Sequence, residues 1–275
     1  MEESDNKETN VKSTIDAVTG LVKAVPVYKD AVQPAAKQIG QSLETVTKTV
    51  NIVLAPIKAL VWGYEKIEEF ISTKVSEKLK NIPQENITTP PAQVAGPAVE
   101  ALKYSGHDPN LRELYANLLA TAMDKDTIHK AHPGFVEIIK NMTSDEALLI
   151  QAFSSQNIYP LIDIKAKYKI ESKKKGYSII FSNYSHLHKT VQIDRPDLVP
   201  TYLNNLCRLG ILEIPSDKKM ILPNIYESLE NDSELSELRE HILNLDNRTI
   251  SFERKAIVTT AFGRLFIQNV VNEKK

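Results

Sequence analysis

The stretch Ile162–Glu171, IDIKAKYKIE, carries the reading that decides the fold. Ile162, Ile164, Ala166, Tyr168 and Ile170 alternate with Asp163, Lys165, Lys167, Lys169 and Glu171. A period of two is that of a β-strand, whose successive side chains point to opposite faces. The apolar set is therefore expected to face a core, with Lys165, Lys167 and Lys169 facing solvent. Lys173, Lys174, Lys175 and Gly176 form a turn, and Tyr177 to Phe181 supply the returning strand.

Outward from this strand, helix signals dominate. Thr143 with Glu146 three residues later is a capping box opening Ala147–Phe153. Asp197 is placed to cap a helix carrying Tyr202, Leu203, Leu206 and Leu209, which Gly210 terminates. A short strand Ile211–Ile214 and a turn at Pro215 follow. Tyr226–Leu245 is an acidic helical stretch, Lys255–Thr260 a strand, and Ala261–Val271 a last helix capped by Thr259 or Thr260.

Before Thr143 the elements are helical. Residues 1–13 are polar and patternless, which predicts a disordered tail. Short helical pieces run from Thr14 to Gln41. Ser42–Leu79 repeats apolar residues at three- and four-residue steps, and Pro56 is expected to kink or split that helix. Asn81–Pro91 is a linker or surface strap. Pro97 opens a helix that Gly106 ends, Asp108-Pro109 starts another, and Pro133 a third, with Phe135, Ile138 and Ile139 apolar. The expected fold is mainly α, with a multi-helix domain at 14–142 followed by an α+β domain at 143–275.

Composition agrees with a helix-rich globular protein. The 275 residues are 42% hydrophobic and 25% charged, and 9 glycines with 7% aromatics are too few for the many tight turns of a sandwich or barrel. A net charge of −1 favours neither nucleic acid nor an anionic surface for the molecule as a whole. A single cysteine, Cys207, excludes an internal disulfide and fits a small core residue beside Leu206 and Leu209. No apolar run reaches membrane-spanning length, and the acidic start is no secretory signal, so a cytoplasmic location is expected.

Charge is unevenly spread. Leu161–Gln192 holds seven lysines against Asp163 and Glu171, a net of +5, while Tyr226–Asn247 holds seven acids against Arg239, a net of −6. Lys165, Lys167, Lys169, Lys173, Lys174 and Lys175 are thus a candidate partner surface. They suit a phosphate backbone, the guarding of a sheet edge, or a contact with the acidic stretch. Trp62 joins that candidate surface. On a helical wheel it lies opposite the apolar stripe, beside Ile52, Ala55 and Ala59, either sandwiched between layers or offered to a partner or membrane. Asp124, Asp126, His129 and His132 are the densest set of ligand types, read either as caps and turn residues or as ligands for zinc, manganese or iron. No glycine-rich phosphate loop or nucleophile elbow is present. No catalytic residue, metal or cofactor is assigned.

Several strings recur in a telling order: PVY at 26–28, QPAA at 33–36, LAP at 54–56, VWGYEK at 61–66, AGPA at 95–98, NLLA at 117–120, MDKD at 123–126, HKAHP at 129–133 and FVEII at 135–139. In this order they resemble the bacterial Abi-alpha (abortive infection alpha) family, from about Thr14 to the C-terminus. The resemblance implies phage resistance by arrest or death of the infected cell and transfers no catalytic residue. Within it, LCRLGIL at 206–212 and IVTTAFGRLF at 257–266 look like the two halves of a winged-helix module, whose wing would hold the acidic stretch. The expected function is antiviral defence through macromolecular interaction. The alternatives are a winged-helix nucleic-acid-binding regulator and a hydrolase or nuclease effector. The expected partners are a protein or a second copy, nucleic acid through the lysine strand, and a membrane by peripheral contact only.

Overall fold

The computed structural model describes residues 63–222 and 224–272. Trp62, the disordered tail expected at 1–13, the helical pieces expected from Thr14 onward and the kink at Pro56 lie outside the described residues. The described chain is mixed α+β and divides into two compact units, one up to Asn141 and the other Met142–Asn272.

In the first unit, α1 (Tyr64–Phe70) runs on through a π turn, Ile71–Val75, into Ser76–Leu79. It buries Ile67, Phe70, Ile71, Val75 and Leu79 at three- and four-residue steps. Helix α2 (Ala92–Ser105) begins five residues before the expected start, so Pro97 lies inside it. The ring sits on the exposed side, where the Gln93 carbonyl it leaves unpaired meets solvent, and burial of Val94, Ala95, Ala98 and Leu102 offsets the loss. Helix α3 (Pro109–Ala122) starts as its sequence directs. The Asp108 carboxylate accepts from the N–H groups of Asn110 and Leu111 at 2.9 and 3.0 Å, and Pro109 is the first helical residue.

Leu114 to Ala122 are buried all round α3, which packs against the α1 extension, α2 and α4 (Gly134–Lys140) as the central helix of the unit. The expected strap is pinned rather than loose. Thr88 N–H donates to the Met123 carbonyl and Lys125 N–H to the Asn86 carbonyl, both at 2.9 Å.

The second unit opens with α5 (Ser144–Leu149), whose capping box forms as expected: Glu146 N–H donates to the Thr143 hydroxyl and Thr143 N–H to the Glu146 carboxylate. The sheet is four-stranded and antiparallel, in the order β2-β1-β4-β3, from β1 (Ile158–Tyr168), β2 (Tyr177–Tyr184), β3 (Leu212–Glu213) and β4 (Arg248–Thr259). Strand β4 begins seven residues before the expected Lys255, because it pairs with all of β1, from Ile158 opposite Val258 to Tyr168 opposite Arg248. Helix α6 (Val199–Arg208) ends at Gly210, in the left-handed region with φ 74°. Asp197 does not cap it. The carboxylate is held by the Arg195 guanidinium at 2.9 and 2.7 Å, and the helix is entered through a 3₁₀ turn, Pro196–Leu198.

The expected acidic helix of 226–245 is broken into α7 (Glu227–Glu230), a 3₁₀ turn at Ser233–Leu235 and α8 (Ser236–Leu243). These pieces cover one face of the sheet. Tyr226, Leu229, Leu235 and Ile242 form a core with Ile162, Ile164, Ala166 and Tyr184. Breaking the helix lets three short segments follow the sheet surface. The last helix, α9 (Ala261–Phe266), is capped by Thr260, whose hydroxyl accepts from Gly263 N–H at 2.8 Å and donates to the Gly210 carbonyl at 2.6 Å.

Candidate functional site

The lysine strand keeps its alternation but not its solvent exposure throughout. Ile162, Ile164 and Ala166 are buried on the face covered by the acidic segment, as expected, while Tyr168 is half-buried. On the other face Lys167 is exposed, but Lys165 is buried. Register explains the correction: Lys165 pairs with Ile179 and Lys167 with Tyr177, so Tyr177 shares the lysine face and its ring lies 3.9 Å from the Lys165 ammonium. Glu253 of β4 pairs with the same ammonium at 2.6 Å. Burial opposes the charge, yet the Glu253 carboxylate and the Tyr177 hydroxyl outweigh it and hold Lys165 above the usual lysine range. The alternation predicts Ile170 in the core, but it is 88% exposed, because β1 ends at Tyr168 and Ile170 belongs to the turn.

That turn is well tied. Lys169 N–H donates to the Asn247 carbonyl at 2.9 Å, Ser172 N–H to the Lys169 carbonyl at 3.0 Å and the Lys175 ammonium to the Ile170 carbonyl at 3.0 Å. At its base the Arg248 guanidinium lies 3.5 Å from the centre of the Tyr168 ring and donates to the Ala166 carbonyl. Lys167, Lys169, Lys173, Lys174 and Lys175 are exposed and, among the described residues, pair with no carboxylate. Around them Tyr177 and Ile179 are also exposed, at 56% and 49%.

The acidic segment meets a different lysine. Asp232 Oδ2 accepts from Lys189 at 2.7 Å and from the Tyr184 hydroxyl at 2.9 Å, and it contacts His186 Nε2; Lys189 also reaches Glu234 at 3.1 Å. Burial works against the Asp232 charge. Lys189, the Glu234 backbone N–H, Tyr184 and His186 overcome that and hold the carboxyl far below the usual carboxylate range. This cluster fastens the acidic segment to the end of β2. Beside it a cavity of about 710 Å³ opens between Phe181, Val199, Leu235 and Leu238, with His188, Glu234 and His241 at its polar margin.

The four residues read as caps or ligands are largely engaged in local structure. Asp124 is buried and accepts from Asp126 N–H at 3.0 Å and the Thr127 hydroxyl at 3.2 Å. Asp126 accepts from Asn86, and His132 Nδ1 from Gly134 N–H at 3.0 Å. His129 falls in a 3₁₀ turn, Ile128–Lys130. Among the described residues no group of three or more His, Cys, Asp or Glu could hold a metal ion. Cys207 is half-buried in α6, where burial and the nearby Glu213 carboxylate push its thiol up to about 11.

Two anchors carry no local signal in the sequence. Lys255 binds Asp163 and Asn183 across the lysine face, and Asp145 accepts from the N–H groups of Asp194 and Arg195 and from the Tyr202 hydroxyl. Each pairs residues 49 or more positions apart, beyond any local rule, apart from the Asp163–Asn183 step of 20. A lone acid on an alternating strand was the available sign for Asp163.

A family model described as abortive infection alpha matches residues 63–270. Among solved structures, an uncharacterized protein from the hydrocarbon-degrading marine bacterium Alcanivorax borkumensis is similar at 22% identity, over 50% of this chain and 93% of that one, with a TM-score of 0.34. No curated protein matches the chain in sequence.

Proposed function

The chain belongs to the abortive infection alpha family, and from that premise we propose that it protects bacteria against phage by abortive infection, acting through macromolecular contact made by the β1–β2 hairpin. The observation that carries the choice of surface is the set of five exposed lysines, Lys167, Lys169, Lys173, Lys174 and Lys175, without carboxylate partners among the described residues. The acidic segment, which would otherwise neutralise them, is engaged with Lys189 and the opposite sheet face. What the hairpin offers is concentrated positive charge, suited to a polyanionic partner. The helical unit then serves as scaffold or effector. Among the described residues no helix is long and apolar enough to cross a membrane, and we place the action in the cytoplasm.

A winged-helix, nucleic-acid-binding reading is the second. It is favoured by the order β1-β4-β3, with α6 leading into β3 and α9 following β4. In it the β3–β4 connection is the wing and the acidic segment its insertion.

A phage challenge followed by growth curves tests the first reading, with wild type beside a Lys173/Lys174/Lys175→Glu variant. Wild type should protect at low phage dose and let the culture collapse at high dose, and the variant should not protect. Protection without collapse at high dose would contradict an abortive mechanism. A folded variant that still blocks phage would remove the hairpin from it.

A further inference from the structure

We propose that the β1–β2 hairpin docks on an anionic phospholipid surface, its lysines at the headgroups and Ile170 as an apolar wedge. The inference rests on the hairpin being the contact surface and names the partner. Charge alone does not separate a bilayer from a nucleic acid; the exposed apolar side chains do. Ile170 is 88% exposed at the turn, between Lys169 and Glu171, and Lys173, Lys174 and Lys175 follow, so that four lysines outweigh the one carboxylate of the tip. Tyr177 and Ile179 extend the apolar surface along β2.

A phosphate backbone has no use for aliphatic side chains held in water, and residues 165–184 contain no arginine, the side chain that most often reads base edges. A bilayer uses both features: acyl chains accept Ile170, a tyrosine suits the interface, and anionic headgroups attract each lysine. A second copy pairing in parallel along the β2 edge is disfavoured by the same charge, because that arrangement brings the two lysine tips together, and an antiparallel pair is an outcome of the test below. The backbone hydrogen bonds of Lys169 and Ser172 and the Lys175 ammonium on the Ile170 carbonyl brace the turn that carries Ile170.

The test is flotation of the full chain with vesicles of equal parts phosphatidylglycerol and phosphatidylcholine, against phosphatidylcholine alone. A short labelled DNA duplex and single strand serve as competing probes, and light scattering reports the mass without lipid. Wild type should float with the anionic vesicles and not with the neutral ones. Lys173/Lys174/Lys175→Gln should weaken binding by about a hundredfold, at about fivefold for each lysine. Ile170→Ser should weaken it by about tenfold and leave the remainder more salt-sensitive.

The proposal is overturned by no binding to anionic vesicles, by binding indifferent to Ile170→Ser, by tighter binding of either DNA probe, or by a dimer that Ile179→Ser dissolves. Loss of phage protection in the lysine-to-glutamine variant, with no vesicle binding by wild type, would leave the hairpin's role in defence standing and remove the lipid. Vesicle binding that follows both variants, with protection unaffected by either, would keep the lipid site and remove the defence role.

Discussion

Lys255 donates to both carboxylate oxygens of Asp163, at 2.8 and 2.9 Å, and to the Asn183 side chain at 2.6 Å. The same Asp163 accepts from Asn183 N–H at 2.8 Å, where Asn183 has φ 59° and the β1–β2 register slips. The pair thus pins an irregular step in the sheet from β4. Asp163→Ala would leave a largely buried ammonium and a backbone N–H without their acceptor, and should cost roughly 3 kcal/mol in urea unfolding. Unchanged stability would show that the irregular step holds without the ion pair.

Lys165 and Lys167 share a strand face yet should respond oppositely to charge reversal. Lys165→Glu places a carboxylate beside Glu253 under the Tyr177 ring, and should destabilise by roughly 2 kcal/mol. Lys167→Glu, at an exposed position, should shift stability by less than about 0.5 kcal/mol. Thermal melts of the two variants side by side decide it, and equal melts would contradict the burial of Lys165.

A methyl group added at Gly263 would lie 2.0 Å from the Ile211 carbonyl oxygen and 2.8 Å from its carbon. Backbone on both sides cannot yield cheaply, so Gly263→Ala should cost roughly 3 kcal/mol or more. Thr260→Val removes the cap of the same helix and its bond to Gly210, at about 1–2 kcal/mol. An alanine variant with wild-type stability would mean that α9 can move away from Ile211.

Acid should unfold the second unit early. Burial opposes the charge of both Asp145 and Asp232, but their hydrogen-bond donors win and hold both carboxyls below the ordinary value. A carboxyl depressed in the folded state contributes stability that is complete above its unfolded pKa, about 3.9, and is lost as pH falls below that. Urea midpoints should therefore be flat from pH 7 to about 5 and fall below about 4. Asp145→Asn should lower the plateau and flatten the fall; an acid limb as steep as that of wild type would exclude Asp145 as a source.

Cys207 should react slowly. With its thiol pushed up to about 11, only about one in a thousand is thiolate at pH 8. Iodoacetamide labelling followed by mass spectrometry should show alkylation at least about tenfold slower than for the urea-unfolded chain. Equal rates would show that the thiol is neither shielded nor shifted.

The features legible in the sequence are those set by neighbours along the chain. Asp108, Thr143 and Thr260 cap their helices because each cap lies within three residues of the N–H it satisfies, and Gly210 ends α6 because only a residue tolerant of positive φ fits there. Alternation at 162–168 sorted the side chains to their two faces correctly. It did not show what else occupied the lysine face, since Tyr177 and Glu253 reach Lys165 from 12 and 88 residues away. The same reason hid the path of the acidic segment: its charges predict a solvated helix, whereas Tyr226, Leu229, Leu235 and Ile242 acquire their meaning only against Ile162 and Ile164.

The long ladder between β1 and β4 governs how the second unit comes into being. Ile158 meets a residue 100 positions later and Tyr168 one 80 positions later, so most of this unit must be synthesised before β1 gains its inner neighbour. Until then β1 keeps an unpaired edge, and its Ile162 and Ile164 face stays bare until the segment of Tyr226, Leu229, Leu235 and Ile242 has been made. Non-local closure of this kind is slow, and bare edges invite pairing between chains. The lysines of the hairpin are present from the outset, and like charge on each copy opposes such pairing during that interval.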